Sequence, residues 1–254
     1  MRFEGRTAVI TGGAIGFGRA FARALVAEGA NAVIADIDTD MAERTAAELV
    51  STGGKAIAVD CDVADQGRVD AAVAATVEVF GGLHGLLNAA GVGVRNSIED
   101  CSLADYRRVN DINSMGTFLG CKHAIPAMAK SGGGSIVNIS SVLGLRGASY
   151  AMAYCASKGA VRSLTKNVAM HCAQMKYGIR CNSVHPGYID TPMIAPRLSG
   201  TIDNMTGRQW LEALHPLGRL GRADEVANMI VFLLSDESSF STGSEFVCDG
   251  GLTA

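Results

Sequence analysis

The chain has 254 residues, 48% of them apolar and 19% charged, with 31 glycines, a balance that excludes disordered and fibrous classes. Its formal net charge of −3, with no basic run longer than Arg107-Arg108, argues against nucleic acid or an anionic membrane as partner. The length suits one large α/β domain over residues 1–254, and nothing in it marks a linker to a second.

The first strand is expected at 7–11, Thr-Ala-Val-Ile-Thr, followed by helical periodicity near 16–28. Further short apolar runs at 32–35, 56–59, 85–88, 135–139 and 179–183 read as strands, with a last one near 244–248. They are apolar on both faces, as strands of a covered parallel sheet are. Helical patterns near 40–50, 65–79, 104–129, 154–176 and 224–234 separate them. This alternation predicts the α/β class, with a doubly wound parallel sheet of about seven strands and helices on both faces. The stretch 189–216 departs from it: Pro-, Gly- and Met-containing and weakly periodic, it reads as a functional loop or lid.

The seven cysteines include no C-x-x-C pair and sit mostly in apolar surroundings, so free thiols in a reducing compartment are expected. The five histidines show no metal-ligand spacing, and no metal is expected. No secretory segment precedes the first strand, and no apolar run approaches the ~18 residues of a membrane span. The expectation is a soluble, cytoplasmic chain.

Directly after the first strand stands Thr11-Gly-Gly-Ala-Ile-Gly-Phe-Gly18, with Gly12, Gly16 and Gly18 spaced G-x3-G-x-G. In a glycine-rich chain that spacing alone is weak, but a strand before it and an amphipathic helix after it strengthen it. Glycines let a pyrophosphate approach the backbone, and a helix start offers unpaired N–H groups and partial positive charge. Gly12, Ile15, Gly16, Phe17 and Gly18 are therefore cofactor candidates. Asp36, 20 residues after Gly16 and followed by Ile37, stands where a carboxylate accepts from an adenosine ribose. It would repel a 2′-phosphate, and no Lys or Arg at Ala14, Ile15 or Ile37 offsets that, so NAD is expected over NADP. The alternative is a tight turn with Asp36 as a helix cap. Asp62 and Val63 close the third strand where a carboxylate could meet the adenine; Asn88, Ala89, Ala90 and Gly91 close the fourth at the same edge of the sheet. Each also reads as a simple turn.

Tyr154 and Lys158 are spaced i, i+4 and share a helix face. A phenol, with an ordinary pKa near ~10, is a poor base at neutral pH, and an adjacent ammonium favours its ionised form. Ser141, thirteen residues before Tyr154 and at the end of the fifth strand, could donate to a substrate oxygen gaining negative charge.

With these motifs assembled, the whole chain resembles the single-domain short-chain dehydrogenase/reductase family. The likeness runs from Thr-Gly-x3-Gly-x-Gly through Asn-Ala-Ala-Gly, Gly-Ser-Ile-Val-Asn-Ile-Ser-Ser and Tyr-x3-Lys to Pro186-Gly187, Pro-Leu-Gly-Arg and Asp249-Gly-Gly. It implies a Rossmann-type fold and a tetrad of Asn113, Ser141, Tyr154 and Lys158. In it Tyr154 is the acid/base, Ser141 polarises the carbonyl, and Lys158 lowers the tyrosine pKa and holds the nicotinamide ribose. Asn113 would anchor a water in a proton relay. Asn110 competes with Asn113, and Ser140 with Ser141. The resemblance also places Pro186, Gly187, Ile189 and Thr191 at the nicotinamide. Phe17, Ala89 and His185 depart from the family's usual residues, and the first is expected to crowd the pyrophosphate turn.

The chemistry so implied is hydride transfer between NAD(H) and a secondary alcohol or ketone, the cofactor carrying the difficult part. Similarity to bacterial hydroxysteroid and cyclic-alcohol dehydrogenases favours a bulky apolar small molecule, with Met193, Ile194, Leu198, Met205 and Trp210 as a lid over it; they could equally cover a sheet edge. Relatives of this size usually form homotetramers. Competing expectations are an NADP-dependent 3-oxoacyl-carrier reductase and a non-catalytic NAD sensor on the same fold.

Overall fold

The apolar runs become strands β1 (Thr7–Thr11), β2 (Asn31–Asp36), β3 (Lys55–Asp60), β4 (Gly85–Asn88), β5 (Gly134–Ile139) and β6 (Ile179–Pro186). A short antiparallel hairpin follows, β7 (Thr201–Ile202) with β8 (Met205–Thr206), and then β9 (Glu245–Cys248). This is a computed structural model that describes residues 1–202 and 204–254; Asp203, inside the expected lid, lies outside the described residues. Seven strands pair, all in parallel, in the order β3-β2-β1-β4-β5-β6-β9. The strand order reverses between β1 and β4, and ligands of such sheets bind at the crevice this opens at the carboxyl edge.

The helices are α1 (Gly16–Ala27), α2 (Thr39–Ser51), α3 (Gln66–Phe80), α4 (Leu103–Asn110), α5 (Gly116–Lys130), α6 (Met152–Gln174), α7 (Ala195–Leu198), α8 (Gly207–Ala213) and α9 (Ala223–Leu234). Side chains alternate along a strand, so each face of the sheet has its own core. Ala8, Ile10, Ala32 and Ile34 pack with Phe21 and Leu25 of α1, Leu49 of α2 and Ile230 of α9. Val9, Val33 and Leu86 face the other way, onto Val69 of α3, Met128 of α5 and Val168 of α6. Local signals set the helix starts: Asp38 accepts from Met41 N, Asp65 from Gly67 N and Arg68 N, and Ser102 from Asp105 N. Among the described residues no helix is long and apolar enough to cross a membrane.

Two expectations change. The helix expected over 104–129 is not continuous: α4 and α5 are separated by a π-helical turn, Asp111–Met115. Such widened turns redirect side chains and recur at functional sites; here the turn carries Asn113. The stretch 189–216, expected to be irregular, forms α7, the β7–β8 hairpin and α8, the last started by a Thr206/Gln209 capping box. Its apolar residues build a satellite core in which Leu198 and Trp210 pack on buried Tyr188, Ile194, Leu211 and Leu220.

Candidate active site

The turn after β1 needs its glycines for separate physical reasons. Gly12 and Gly16 hold φ of 65° and 56°, the left-handed region that other residues rarely adopt. A Cβ on Gly18 would stand 2.1 Å from the Gly12 carbonyl oxygen. The N-cap of α1, Ile15, brings no side-chain acceptor, and the first turn has no acid. Its N–H groups therefore remain available to an anion in the cleft above. Asp36, at the end of β2, accepts from Ala14 N at 3.0 Å and Asp38 N at 3.1 Å, which fixes its carboxylate beside the turn. The N–H groups of Ala89 and Ala90 donate to Thr11 Oγ1 at 3.2 and 3.3 Å, tying the end of β4 to β1.

A cleft of about 930 Å³ lies over this surface. Gly12, Ile15, Gly16, Phe17 and Gly18 form its floor, Asp36 and Ile37 one end, and Asp62 and Val63 a side. Ala89, Ala90, Gly91 and Thr191 lead out of it. Asn88 is absent from this lining. It has the same strand parity as Leu86 and turns inward, where Nδ2 donates to Asn138 Oδ1 at 2.8 Å. Gly120 leaves room for it, since a Cβ there would come within 2.3 Å of Asn88 Oδ1. Asn88 thus stiffens the sheet behind the cleft and does not face it.

Phe17, Ala89, Gly91, Thr191 and Met193 are shared with an adjoining pocket of about 730 Å³. Its walls hold Ser141, Tyr154, Lys158, Pro186, Gly187 and Ile189. Ser140 Oγ donates to the Lys158 carbonyl at 2.9 Å and so serves as a tie between β5 and α6. Ser141 keeps its hydroxyl beside Tyr154 while accepting from Leu143 N at 3.1 Å. Lys158 is buried; its Nζ donates to the Ile139 carbonyl at 2.7 Å and lies 5.7 Å from the centroid of the Tyr154 ring. Burial lowers its pKa from 10.5 to about 8. Burial also raises the Tyr154 pKa, opposed by the Ser141 hydroxyl and by the Arg197 guanidinium. The expected lowering of the phenol is therefore reversed in the protein alone. The ammonium sits over the ring, anchored to a carbonyl, and desolvation dominates at the hydroxyl.

Asn113, not Asn110, reaches this region. Its Oδ1 accepts from Val92 N at 2.8 Å, and its Nδ2 donates to Val92 O at 2.9 Å and Ser157 Oγ at 3.0 Å. Asn110 instead bonds back to Tyr106 O within its own helix. Asn113 is fully buried, lines neither cavity, and ties the loop after β4 to α6. Thr191 Oγ1 donates to Ile189 O at 3.2 Å. Gly187 is required to be small, because a Cβ would meet His215 Nε2 at 2.8 Å.

Of the five expected lid residues, Met193 and Ile194 line the pocket, while Leu198 and Trp210 pack in the satellite core. Met205 lies on the β8 strand of the hairpin and is absent from both linings. The sequence assigned no site role to His185, Tyr188 or Arg197. Buried His185 bonds through Nδ1 to the Ser141 carbonyl at 3.1 Å and through Nε2 to Ser183 Oγ at 2.9 Å, holding the serine segment in place. Tyr188 and Arg197 line the pocket. The signals were the departure from the family's usual residue at His185 and the Pro186-Gly187 between it and Tyr188; Arg197 had none.

A family model described as Enoyl-(Acyl carrier protein) reductase matches residues 12–253. The chain belongs to the short-chain dehydrogenase/reductase family. A cyclohexanol dehydrogenase of Acinetobacter sp. is 41% identical over 100% of this chain and 97% of its own. A 3-alpha-(or 20-beta)-hydroxysteroid dehydrogenase of Mycobacterium tuberculosis is 42% identical, covering 100% and 91%. An NADP-dependent (R)-specific alcohol dehydrogenase of Lentilactobacillus kefiri is 40% identical, covering 100% and 98%. Among solved structures, a short-chain type dehydrogenase/reductase from Mycobacterium marinum superimposes with a TM-score of 0.92 at 34% identity, covering 99% of this chain and 97% of that one. Members of this dehydrogenase/reductase family use a nicotinamide cofactor, and the glycine turn, the uncapped helix start and the Asp36 carboxylate in the same cleft fit one.

Proposed function

We propose that the chain is an NAD-dependent dehydrogenase that interconverts a secondary alcohol, apolar or cyclic, and its ketone. The observation that carries this reading is the continuity of the two cavities: Ser141, Tyr154 and Lys158 line a pocket that shares Gly91 and Thr191 with the cleft beside Asp36. When bound, the nicotinamide supplies the hydride acceptor or donor. The protein's part is to orient and to move protons. Ser141 Oγ donates to the substrate oxygen, Tyr154 exchanges the proton of the carbinol hydroxyl, and Lys158 supplies fixed positive charge under the ring. Val142, Leu143 and Ile194 give the pocket an apolar wall suited to a ring or chain. The α7–α8 segment is the lid of this site.

The preference for NAD rests on Asp36. Its carboxylate is held by two backbone N–H groups and would meet a 2′-phosphate with like charge. The first basic residue after the turn, Arg19, is paired with Glu48. Titrating the protein with NADH and NADPH tests this: NADH binds at least about tenfold more tightly, and Asp36→Ala narrows the gap. Equal affinities, or tighter NADPH, would overturn it and favour the carrier-linked reductase. Screening secondary alcohols from cyclohexanol to hydroxysteroids for NADH formation tests the substrate class.

A further inference from the structure

The catalytic pocket lies between two small cores that stand apart from the main ones. On one side Tyr188, Ile194, Leu211 and Leu220 anchor the lid. On the other, Val142, Leu143 and Ala151 follow the catalytic serine and pack with Tyr154. Tyr188 and Ile194 of the first core, and Val142, Leu143 and Tyr154 of the second, line the pocket. Leu252, in the turn after β9, packs against both, and among the described residues no other side chain is common to the two. Its placement is fixed by a clasp. Asp249, 9% exposed, accepts through Oδ1 from Gly251 N at 2.9 Å, and through Oδ2 from Thr253 N at 2.8 Å and Thr253 Oγ1 at 2.7 Å. Leu252 N donates to the Asp249 carbonyl at 3.2 Å. Gly250 and Gly251, with φ of 61° and 88°, let the chain turn this tightly. The turn is gripped from two sides: Leu217 N, after α8, donates to the Gly250 carbonyl at 3.1 Å, and Gly187 N, in the pocket wall, donates to the Cys248 carbonyl at 3.0 Å.

We propose that Leu252 is a positioning residue for the substrate: wedged between the lid core and the serine-side core, it sets the separation of the pocket's apolar walls and so the size of alcohol the site prefers. This rests on the dehydrogenase reading above and deepens it. Cores pack to near-crystalline density, so the two walls approach only as far as the side chain between them allows. Shortening that side chain leaves a space that the neighbours fill incompletely, and the lid core loses its support. A small ring, which needs both walls at once, then suffers more than a bulky one that fills the pocket by itself. None of the residues of the two cores lines the cleft beside Asp36, so cofactor binding is separable from the effect.

The test compares cyclohexanol with a bulkier polycyclic secondary alcohol as substrates of the full-length protein. Leu252→Ala lowers the small-to-bulky ratio of kcat/KM about tenfold, chiefly through KM for cyclohexanol, while NADH affinity holds. Leu252→Met, which keeps the volume, restores most of the ratio. Thr253→Val removes one hydrogen bond of the clasp, leaves both cores intact and moves the ratio the same way by less. A ratio that Leu252→Ala leaves unchanged, or a loss shared equally by both alcohols and by NADH binding, overturns the proposal. A second readout needs no turnover. The only tryptophan, Trp210, packs in the lid core, so acrylamide quenching of its fluorescence rises in Leu252→Ala and returns to the parental level in Leu252→Met. Failure to oxidise any alcohol would sink the dehydrogenase reading alone, and equal quenching in the parent and Leu252→Ala would sink the wedge.

Discussion

Lys158 donates from Nζ to the carbonyl of Ile139 at 2.7 Å, so the last residue of β5 holds the amine of α6 beneath the Tyr154 ring. The tie fixes the ammonium by backbone geometry and keeps it dry. Burial makes this amine harder to protonate than in the unfolded chain, its pKa falling from 10.5 to about 8. Between those values the unfolded chain holds the extra proton, so this group's contribution to stability rises with pH across that window. The full difference corresponds to about 3 kcal/mol. Urea unfolding of the parent and Lys158→Met at pH 7 and pH 10.5 checks it. The parent gains relative to the variant as pH rises, and a pH-independent difference would refute the burial argument.

Tyr154 is shifted upward by the same desolvation. On the proposed mechanism alcohol oxidation needs the phenolate, so its rate climbs with pH from 7 to 9, whereas ketone reduction uses the phenol, which stays protonated across that range, and is flat. Tyr154→Phe removes the exchangeable proton and lowers kcat by about 10²–10⁴-fold while cofactor binding persists. Rates in both directions across pH, with NADH binding by fluorescence, decide the matter.

Asn113 satisfies both backbone groups of Val92 and reaches Ser157. Asn113→Ala strands those partners in a largely buried setting and costs about 3 kcal/mol in urea unfolding. It also loosens the Gly91–Val92 segment on the cleft, so cofactor affinity drops with stability. A variant of parental stability that lost only turnover would show that the tying role is wrong.

The glycines differ in what they permit. Gly18→Ala drives a Cβ to 2.1 Å from the Gly12 carbonyl, a backbone clash that costs about 3 kcal/mol or more and opens the cofactor turn. Gly159, within α6, has nothing within 4 Å of an added Cβ. Gly159→Ala therefore gains about 1 kcal/mol from helix propensity. Thermal unfolding of the two variants separates close packing from mere flexibility.

Local pattern by itself determined the seven sheet strands, the long helices, the glycine turn with Asp36, and the pairing of Tyr154 with Lys158. Each is written in neighbouring residues, through apolar runs, helical periodicity, caps and i, i+4 spacing. The tertiary structure decided what those signals do not encode. The π-turn that carries Asn113 answers to Val92 and Ser157, 21 and 44 residues away in the chain. The inward turn of Asn88 depends on the room that Gly120 leaves and on Asn138 across the sheet. The direction of the Tyr154 shift depends on burial, which has no local signature. Val142, Tyr188, Ile194 and Leu252 come from separate stretches and share no spacing, so only packing of the lid against the sheet edge brings Leu252 between the two small cores.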